Sequence, residues 1–261
     1  KTAYEIMPSL VGSEMCIRDR CNSLSIFPHR LAQIFNHQMK FGLYFKMIYN
    51  LGMDEKKGLK DAYALKTPED SINLYKTWAS TYDDDFAKQN DYRSPIEIAK
   101  FFAKYSNPED TPILDVGAGT GLIGECLNLN SKEIDAIDIS PEMLNIARLK
   151  NCYSKIIEAD LTKTLLINDH HYGAIVSAGT FTHGHVGPDV FDELLRVTRS
   201  GGLFVFTVHY QLFNKAGFDK KLIEIQKMIT KPAFHEVYVY GNNPDKEHGS
   251  DKVIITVFRK R

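Results

Sequence analysis

Residues 114–124 read "LDVGAGTGLIG", and their glycines fit two ligand-binding patterns. Counted from Gly119, they spell Gly-x-Gly-x-x-Gly, the pattern of dinucleotide-binding loops. Counted from Asp115, they spell Asp-x-Gly-x-Gly-x-Gly, in which an acid precedes the glycines. In either pattern the backbone must turn sharply and approach a ligand closely, which glycine permits because it has no Cβ. The stretch therefore predicts a ligand-binding loop, and its surroundings must decide which ligand it holds.

Short apolar runs alternate with helical stretches from Thr111 onward. The runs "PILDVG", "EIDAIDI", "KIIEAD", "GAIVSAG" and "GLFVFTV" predict strands of an α/β protein. Strands and helices in alternation indicate a parallel sheet with helices on both faces. "HEVYVYG" and "DKVIITVFRK", separated by the turn-rich "NNPDKEHGS", predict an antiparallel pair that closes the sheet. The glycine loop then lies at the carboxyl edge of the strands, where open α/β sheets bind ligands.

The segment before the sheet predicts helices with an aromatic face. Thr67 is placed as an N-cap, Pro68 as the first helical residue and Asp70 as the acid of a capping box. A second helix is predicted for residues 95–105. Large side chains recur at helical spacing in the first of these helices: Leu74, Tyr75, Trp78 and Tyr82. This face must cover apolar surface, and Trp78 is expected to serve packing.

The acid at Asp115 decides between the two glycine patterns. A dinucleotide brings its pyrophosphate to the N-terminus of the following helix, where an extra carboxylate would repel it. A cationic ligand would be attracted instead, and S-adenosylmethionine carries an ammonium and a sulfonium but no phosphate. "DVGAGTG" followed by "IDISPEML" resembles the class I S-adenosylmethionine-dependent methyltransferases, whose first motif has this acid and these glycines. The spacing from Gly119 to Gly124 is then a coincidence.

This resemblance covers residues 113–208 and implies a fold, a cofactor and a set of site residues. It implies S-adenosyl-L-methionine and a Rossmann-like fold: a mainly parallel seven-stranded sheet with an antiparallel last strand and an N-terminal helical lid. Asp138 would accept hydrogen bonds from the ribose hydroxyls, Met143 would lie against the adenine, and Asp160 would receive the adenine amino group. The predicted cofactor-binding residues are Tyr82, Tyr92, Asp115, Gly117, Ala118, Gly119, Thr120, Gly121, Asp138, Ile139, Met143, Asp160, Leu161 and Ser177.

The segments "YKTWASTYDDDF", "DYRSP" and "GTFTHGHVGPDVFDELLRVT" resemble, within that class, the methyltransferase-like proteins of the Williams–Beuren region. That resemblance supplies no substrate. An aromatic lid suggests a closed pocket and therefore a small-molecule acceptor. Three other functions stay open: a protein methyltransferase, a cofactor-binding protein without catalysis, and a nicotinamide-dependent oxidoreductase that uses the other glycine pattern.

Histidines after the fourth predicted strand are the candidate catalytic residues. A sulfonium methyl group is already activated, so the enzyme mainly aligns donor and acceptor, and it needs a base only when the acceptor must lose a proton. His183 and His185 would lie at the methyl-transfer end of the cofactor, and His185 is the better candidate. The alternative, which is the more common role of a single loop histidine, is that each only forms hydrogen bonds with backbone groups of the loop. His209 has weaker support, and Tyr210 beside it would line the same acceptor space.

Three further sets of polar residues have a functional interpretation and a simpler one as solvent-exposed side chains. Arg93 would hold the methionine carboxylate or an acidic substrate, or would be a surface residue. Residues 83–85, three consecutive aspartates, are expected to form a solvated helix end, because consecutive helical side chains point in different directions. His170 and His171 are expected to be solvated, and no metal site is predicted.

Composition limits the partners and the compartment. The 261 residues are 43% hydrophobic with a formal net charge of −1. No apolar run approaches the roughly 20 residues of a membrane helix, and no basic stripe predicts nucleic-acid binding. The four cysteines form no C-x-x-C pair, which favours the cytoplasm.

The first twenty residues, "KTAYEIMPSLVGSEMCIRDR", resemble translated sequencing-adaptor read-through. The expected divisions are an artefactual or disordered extension (1–52), with a genuine N-terminal arm as the alternative, a helical lid (53–110) and a methyltransferase core (111–261).

Overall fold

The computed structural model describes residues 58–127, 133–182, 185–241 and 248–261. These residues belong to one compact unit, Lys57–Arg261. The predicted extension 1–52 and the candidate His183 lie outside the described residues. The domain divisions therefore stay predictions.

The two predicted N-terminal helices are present at Pro68–Trp78 and Ser94–Tyr105, and a short helix and a π-helix that were not predicted accompany them. The Thr67 side chain accepts a hydrogen bond from the backbone N–H of Asp70 at 3.1 Å, and the Asp70 carboxylate accepts one from Thr67 at 3.1 Å, so the capping box is formed. The described elements are α1 (Leu59–Tyr63), α2 (Pro68–Trp78), a π-helix (Asp83–Lys88) and α3 (Ser94–Tyr105).

The sheet is mainly parallel, as predicted. Its strands are β1 (Ile113–Val116), β2 (Ile134–Asp138), β3 (Ile156–Glu158), β4 (Tyr172–Phe181), β5 (Thr198–His209), β6 (Ala233–Tyr238) and β7 (Lys252–Arg259). The spatial order is β3-β2-β1-β4-β5-β7-β6. β7 runs antiparallel to both β5 and β6. The predicted antiparallel pair is confirmed, and β7 lies inside the sheet while β6 forms its edge.

Helices cover both faces of this sheet, because neighbouring strand residues point to opposite sides. Leu114 and Val116 pack in one core cluster with Phe191 and Phe218, whereas Ile113 packs in another with Ile98. The remaining helices are α4 (Leu122–Leu127), α5 (Pro141–Leu149), α6 (Val190–Val197), α7 (Leu212–Lys215) and α8 (Phe218–Glu224). None of the helices among the described residues has both the length and the apolar character needed to cross a bilayer.

The residues predicted to form one aromatic face pack together, although α2 ends at Trp78 and Tyr82 lies beyond it. Trp78 is 1% exposed, and its ring lies 5.1 Å from Tyr82 and 5.5 Å from Phe86. The same cluster includes Tyr240 and Val253 from the last part of the sheet. The N-terminal helices are thereby held against the β6–β7 end, where they contribute to the candidate site.

Candidate active site

The largest concentration of predicted site residues surrounds a cavity at the carboxyl ends of β1, β2 and β4. This main cavity contains about 950 Å³ of space, part of it open to solvent, a size suited to a small-molecule ligand. It brings together these predicted residues: Tyr82, Tyr92, Gly117, Ala118, Gly119, Thr120, Asp138, Ile139, Met143, Asp160, Leu161 and His185. Asp115, Gly121 and Ser177 are not on its described wall.

The loop after β1 brings the backbone to the cavity through two glycines in the left-handed region. Gly117 has φ of 67° and Gly119 has φ of 55°. A Cβ on Gly117 would collide with the Thr180 side chain, whereas a Cβ on Gly119 would meet no atom within 4 Å. Gly117 is therefore required by packing, and Gly119 leaves open space beside a ligand.

Asp138 presents an oriented carboxylate to the cavity. One carboxylate oxygen accepts the Gly119 N–H at 2.8 Å, and the other accepts the Ser140 N–H at 2.9 Å. Burial raises the pKa of Asp138, and these backbone donors oppose that rise. Each oxygen has a second lone pair available. The group can therefore accept hydrogen bonds from two neighbouring hydroxyls of a ribose.

An apolar wall continues from Asp138 along the cavity. Met143 is 2% exposed and Leu161 is 6% exposed, and both line the cavity beside Ile139. The Asp160 carboxylate accepts hydrogen bonds from the backbone N–H and the hydroxyl of Thr162, at 2.9 and 2.6 Å. Burial raises the pKa of Asp160, but these bonds lower it overall. A flat ring with an amino group fits between this wall and this acid.

Asp115 was predicted to contact the ligand, but the structure places it away from the main cavity. Its side chain is fully buried and points to the β1 face shared with Ile113, since Leu114 and Val116 occupy the other face. The Tyr153 hydroxyl donates to one carboxylate oxygen at 2.7 Å, and the other oxygen has no hydrogen-bond partner among the described residues. Burial raises the pKa of Asp115 to about 7. The acid that decided between the ligands in the sequence therefore supports the loop from behind.

Gly121, Gly124 and Ser177 also act behind the cavity. A Cβ on Gly124 would lie 2.6 Å from the Tyr153 ring, and one on Gly121 would lie 3.0 Å from it. Gly121 and Gly124, which belong to the pattern counted from Gly119, therefore let α4 pack against Tyr153. The Ser177 hydroxyl lies 2.7 Å from the Val116 carbonyl oxygen, to which it donates, and 2.9 Å from the Thr180 hydroxyl. These contacts hold the ends of β1 and β4 together.

Asp83 is a second correction, because it is not simply a solvated helix end. Its carboxylate accepts a hydrogen bond from the Thr120 hydroxyl at 2.5 Å and pairs with the Lys150 ammonium at 2.6 Å. Lys150 also pairs with Glu125 at 2.6 Å. Asp83 is the first residue of the π-helix and lies beside the glycine loop. The N-terminal segment is thus tied directly to the loop, while Asp84 stays exposed and pairs with Lys88.

Tyr75 is a cavity residue that the sequence analysis assigned only to the apolar face. Its hydroxyl lies 3.0 Å from Nε2 of His185. Burial raises the pKa of the Tyr75 phenol far above its ordinary value of 10. The phenol therefore stays protonated and can donate to a neutral imidazole. Ser71, Pro95, Thr180 and Val186 are further wall residues that carried no recognisable signal in the sequence.

A second cavity adjoins the main one and shares five wall residues with it, Tyr75, Tyr82, Tyr92, Gly179 and His185. His209, which is 5% exposed, lines this second cavity and not the main one. Tyr210 is 49% exposed and lines neither described cavity wall, so its predicted place in the acceptor space is wrong. The Arg93 guanidinium pairs with Asp91 at 3.1 Å and is likewise on neither wall.

A family match and the fold are consistent with each other. Residues 114–206 match a family described as a methyltransferase domain. With the strand order above, the chain has the Rossmann-like α/β fold of class I methyltransferases. S-adenosyl-L-methionine is the cofactor of methyltransferase domains with this fold, and the oriented carboxylate of Asp138 with its neighbouring apolar wall fits the adenosine part of that molecule.

Individual relatives are similar over part of the chain. The malonyl-(acyl-carrier protein) O-methyltransferase of Serratia marcescens is 27% identical over 129 residues, 49% of this chain and 48% of that protein. The ubiquinone biosynthesis O-methyltransferase of Xylella fastidiosa (strain 9a5c) is 31% identical over 106 residues, 38% of this chain and 43% of that protein. The match thus spans less than half the length of either curated relative.

A solved structure shares the fold at low sequence identity. It is the complex of the Haloferax volcanii Trm112 methyltransferase activator with a protein assigned as a methyltransferase. The similarity has a TM-score of 0.51 at 16% identity and covers 71% of this chain and 96% of the other. It supports the architecture of the sheet and helices.

Proposed function

We propose that this chain is an S-adenosylmethionine-dependent methyltransferase that acts on a small-molecule acceptor. The observation that carries the proposal is the main cavity: a left-handed glycine loop, the Asp138 carboxylate and an apolar wall meet where the methyltransferase-domain match lies. When bound, the cofactor supplies a sulfonium methyl group, and the acceptor lone pair takes this methyl as the carbon–sulfur bond breaks and S-adenosylhomocysteine leaves.

The residues of the main cavity divide the tasks of binding. The Asp138 carboxylate would accept hydrogen bonds from the ribose hydroxyls, and Ile139 and Met143 would pack on the adenine. The Asp160 carboxylate would accept a hydrogen bond from the adenine amino group. The backbone at Gly117 and Gly119 lets the methionine part approach β1. Tyr82 and Tyr92 cover the far side, where aromatic faces attract a sulfonium. The same rings exclude water from the site of transfer.

Tyr75 and His185 move the proton that an acceptor hydroxyl must lose. The acceptor proton passes to the Tyr75 oxygen as the Tyr75 proton passes to Nε2 of His185, which becomes a cation. The 3.0 Å separation of these two atoms supports this pairing. The enzyme thereby needs no charged base in contact with the acceptor.

A small oxygen acceptor agrees with two further observations. The shared wall of the two cavities is aromatic, which favours a small enclosed substrate over a protein segment. Both curated relatives are O-methyltransferases by name. The proposal includes membership of the methyltransferase-like proteins of the Williams–Beuren region, which the sequence resembles. It also includes a cytoplasmic location, which is supported by the free thiols of Cys126 and Cys152.

Transfer of a labelled methyl group tests the proposal. The chain is incubated with a metabolite extract and methyl-labelled S-adenosylmethionine, and label is followed in small molecules and in protein separately. We expect label in a small-molecule fraction with the native chain and strongly reduced label with the Asp138→Ala variant. Label only in protein would indicate a protein methyltransferase. Intact S-adenosylhomocysteine binding without any labelled product would indicate a binding protein without catalysis.

A further inference from the structure

The second cavity has the position of an acceptor site. It contains about 580 Å³ of space, part of it open to solvent. It meets the main cavity at Tyr75, Tyr82, Tyr92, Gly179 and His185. A molecule in the second cavity would therefore lie next to a molecule in the main cavity, with the Tyr75–His185 pair on their shared wall. The known similarities do not say what this second molecule is.

Aromatic rings dominate the wall of the second cavity. Phe86, Phe181 and Tyr240 join the shared tyrosines, and Tyr63 closes the side formed by α1. Phe86 lies 5.2 Å from Tyr92 and 6.1 Å from Tyr240 between ring centroids, so the rings form a connected surface. Aromatic surfaces of this kind pack best against flat rings. The wall thus favours a planar aromatic compound over a flexible chain.

The second selective feature is the lack of lysine, arginine, aspartate and glutamate on the described wall. Among the described residues that line the second cavity there is no lysine, arginine, aspartate or glutamate. Behind the wall, the Tyr63 hydroxyl donates to the Asp251 carboxylate at 2.6 Å, and His248 Nδ1 lies 3.0 Å from the same oxygen. An anionic group would lose its hydration here without meeting a lysine or an arginine, and it would face a nearby carboxylate. The groups on the described wall that can become cations are the histidines His185 and His209. Carboxylate and phosphate acceptors are therefore disfavoured.

The polar atoms on this wall suit a hydroxyl group. The Tyr75 hydroxyl and His185 Nε2 form one pair at the shared boundary, and His209 is buried on the same cavity. A hydroxyl can both donate and accept hydrogen bonds, so it can bond Tyr75 while losing a proton toward it. An ammonium ion has no lone pair and must lose its proton before it can react.

We propose that the second cavity is the acceptor site and that it takes an uncharged planar aromatic compound with a hydroxyl group. This inference rests on the proposed function, because an acceptor site requires a methyl donor in the main cavity. The aromatic rings hold the flat ring, the lack of lysine and arginine on the described wall disfavours anions, and the Tyr75–His185 pair receives the hydroxyl proton.

Three naphthalene derivatives of the same ring system test the proposal by calorimetric titration at pH 7. They are 2-naphthol, 2-naphthoate and 2-naphthylmethylammonium, and each is titrated with and without saturating S-adenosylhomocysteine. We expect 2-naphthol to bind at least about tenfold more tightly than 2-naphthoate. Equal or tighter binding of the naphthoate, tighter binding of the ammonium compound, or absence of 2-naphthol binding would overturn the proposal.

A matched pair of variants places the bound ring. Ala62 lines the second cavity but not the main one, whereas Ala64 is exposed two residues further along α1's C-terminal end. Ala62→Leu fills the cavity and should weaken 2-naphthol binding at least about tenfold, while Ala64→Leu should change it less than twofold. Equal 2-naphthol affinity in both variants would place the ring elsewhere and contradict the proposal.

The same titrations separate this inference from the proposed function. Both leucine variants should bind S-adenosylhomocysteine as the native chain does, because neither residue lines the main cavity. If the native chain fails to bind S-adenosylhomocysteine, the proposed function fails, whatever the naphthalene series shows. If S-adenosylhomocysteine binds but the naphthol preference is absent, the function stands and only the acceptor class is wrong.

Discussion

The two sides of the site are built in different ways. The side formed by β1, β2 and the glycine loop presents backbone groups, an apolar wall and the carboxylates of Asp138 and Asp160, most of them within residues 117–143. The opposite side is built from aromatic side chains of α1, α2, the π-helix and the β6–β7 end, which are far apart in the sequence. The first side is suited to the adenosine part of the methyl donor, whereas the second must match one acceptor. The comparison predicts different consequences for substitutions on the two sides.

The largest effect is expected on the acceptor side, at His185. His185→Ala should lower turnover by about 10²–10⁴-fold, the usual range for a general base, and leave S-adenosylhomocysteine affinity nearly unchanged. His171→Ala is the matched control, because His171 is exposed and lies on neither cavity wall. Steady-state kinetics with an identified acceptor measures both variants. Unchanged turnover in the His185 variant would make this histidine structural.

A large effect on stability is expected behind the loop, at Asp115. Its pKa is about 7 in the folded chain and near 3.8 in the unfolded chain, so the folded state holds the proton more tightly. Stability should therefore fall as pH rises from about 4 to 7, by on the order of 4 kcal/mol. Asp115→Asn keeps an acceptor for Tyr153 and should remove this loss. Urea unfolding at pH 5 and pH 8 would refute the assignment if native and variant chains change in parallel.

Substitutions of the two loop glycines with left-handed φ distinguish the effect of packing from the effect of backbone conformation alone. Gly117→Ala combines an unfavourable φ with a collision against Thr180 and should reduce the free energy of unfolding by about 2–4 kcal/mol. Gly119→Ala has a similar φ but open space, so about 1–2 kcal/mol is expected. Denaturant unfolding compares the pair. A larger loss at Gly119 would contradict this account of the loop.

Asp138 tests the binding side directly. Asp138→Ala should weaken S-adenosylhomocysteine binding by about 1.5–3 kcal/mol, the range for hydrogen bonds to a charged group. Glu158→Ala is the control, since Glu158 ends the neighbouring strand, is exposed and does not line the cavity. Calorimetry gives both affinities. Equal affinities for the two variants would remove Asp138 from the binding site.

The smallest effect is expected where the two sides meet. Thr120→Val removes the hydrogen bond to Asp83 with little change of shape, which should reduce stability by about 0.5–1.5 kcal/mol. Thr120→Ser keeps the hydroxyl and serves as the control. Limited proteolysis should cut the N-terminal segment faster in the valine variant. Identical cleavage rates would show that this contact does not hold the segment.

The sequence predicted the binding side better than the acceptor side, for a physical reason. Strands, caps and glycine turns are local, so the sheet, the helix at Thr67 and the position of Asp138 could be predicted from neighbouring residues. Strand alternation could also have shown that Asp115 shares a face with Ile113, away from Leu114. The order of β6 and β7 depends on long-range pairing and could not be inferred in the same way.

The acceptor side depends on contacts between distant segments. Nothing near Tyr75 in the sequence indicates His185, 110 residues later, or the wall that Tyr240 and Val253 complete. The role of Asp83 arises from the π-helix, whose irregular turn has no recognised sequence pattern. Helical spacing correctly identified the packing of Trp78, but the same spacing could not separate Trp78 from its cavity-lining neighbour Tyr75.

The central claim is that the main cavity binds an adenosine with a cationic methyl donor and not a dinucleotide. Parallel calorimetric titrations of the native chain with S-adenosylhomocysteine and with NADH test this claim most directly. We predict one binding site for S-adenosylhomocysteine and no saturable binding of NADH. Preferential binding of NADH would contradict the account.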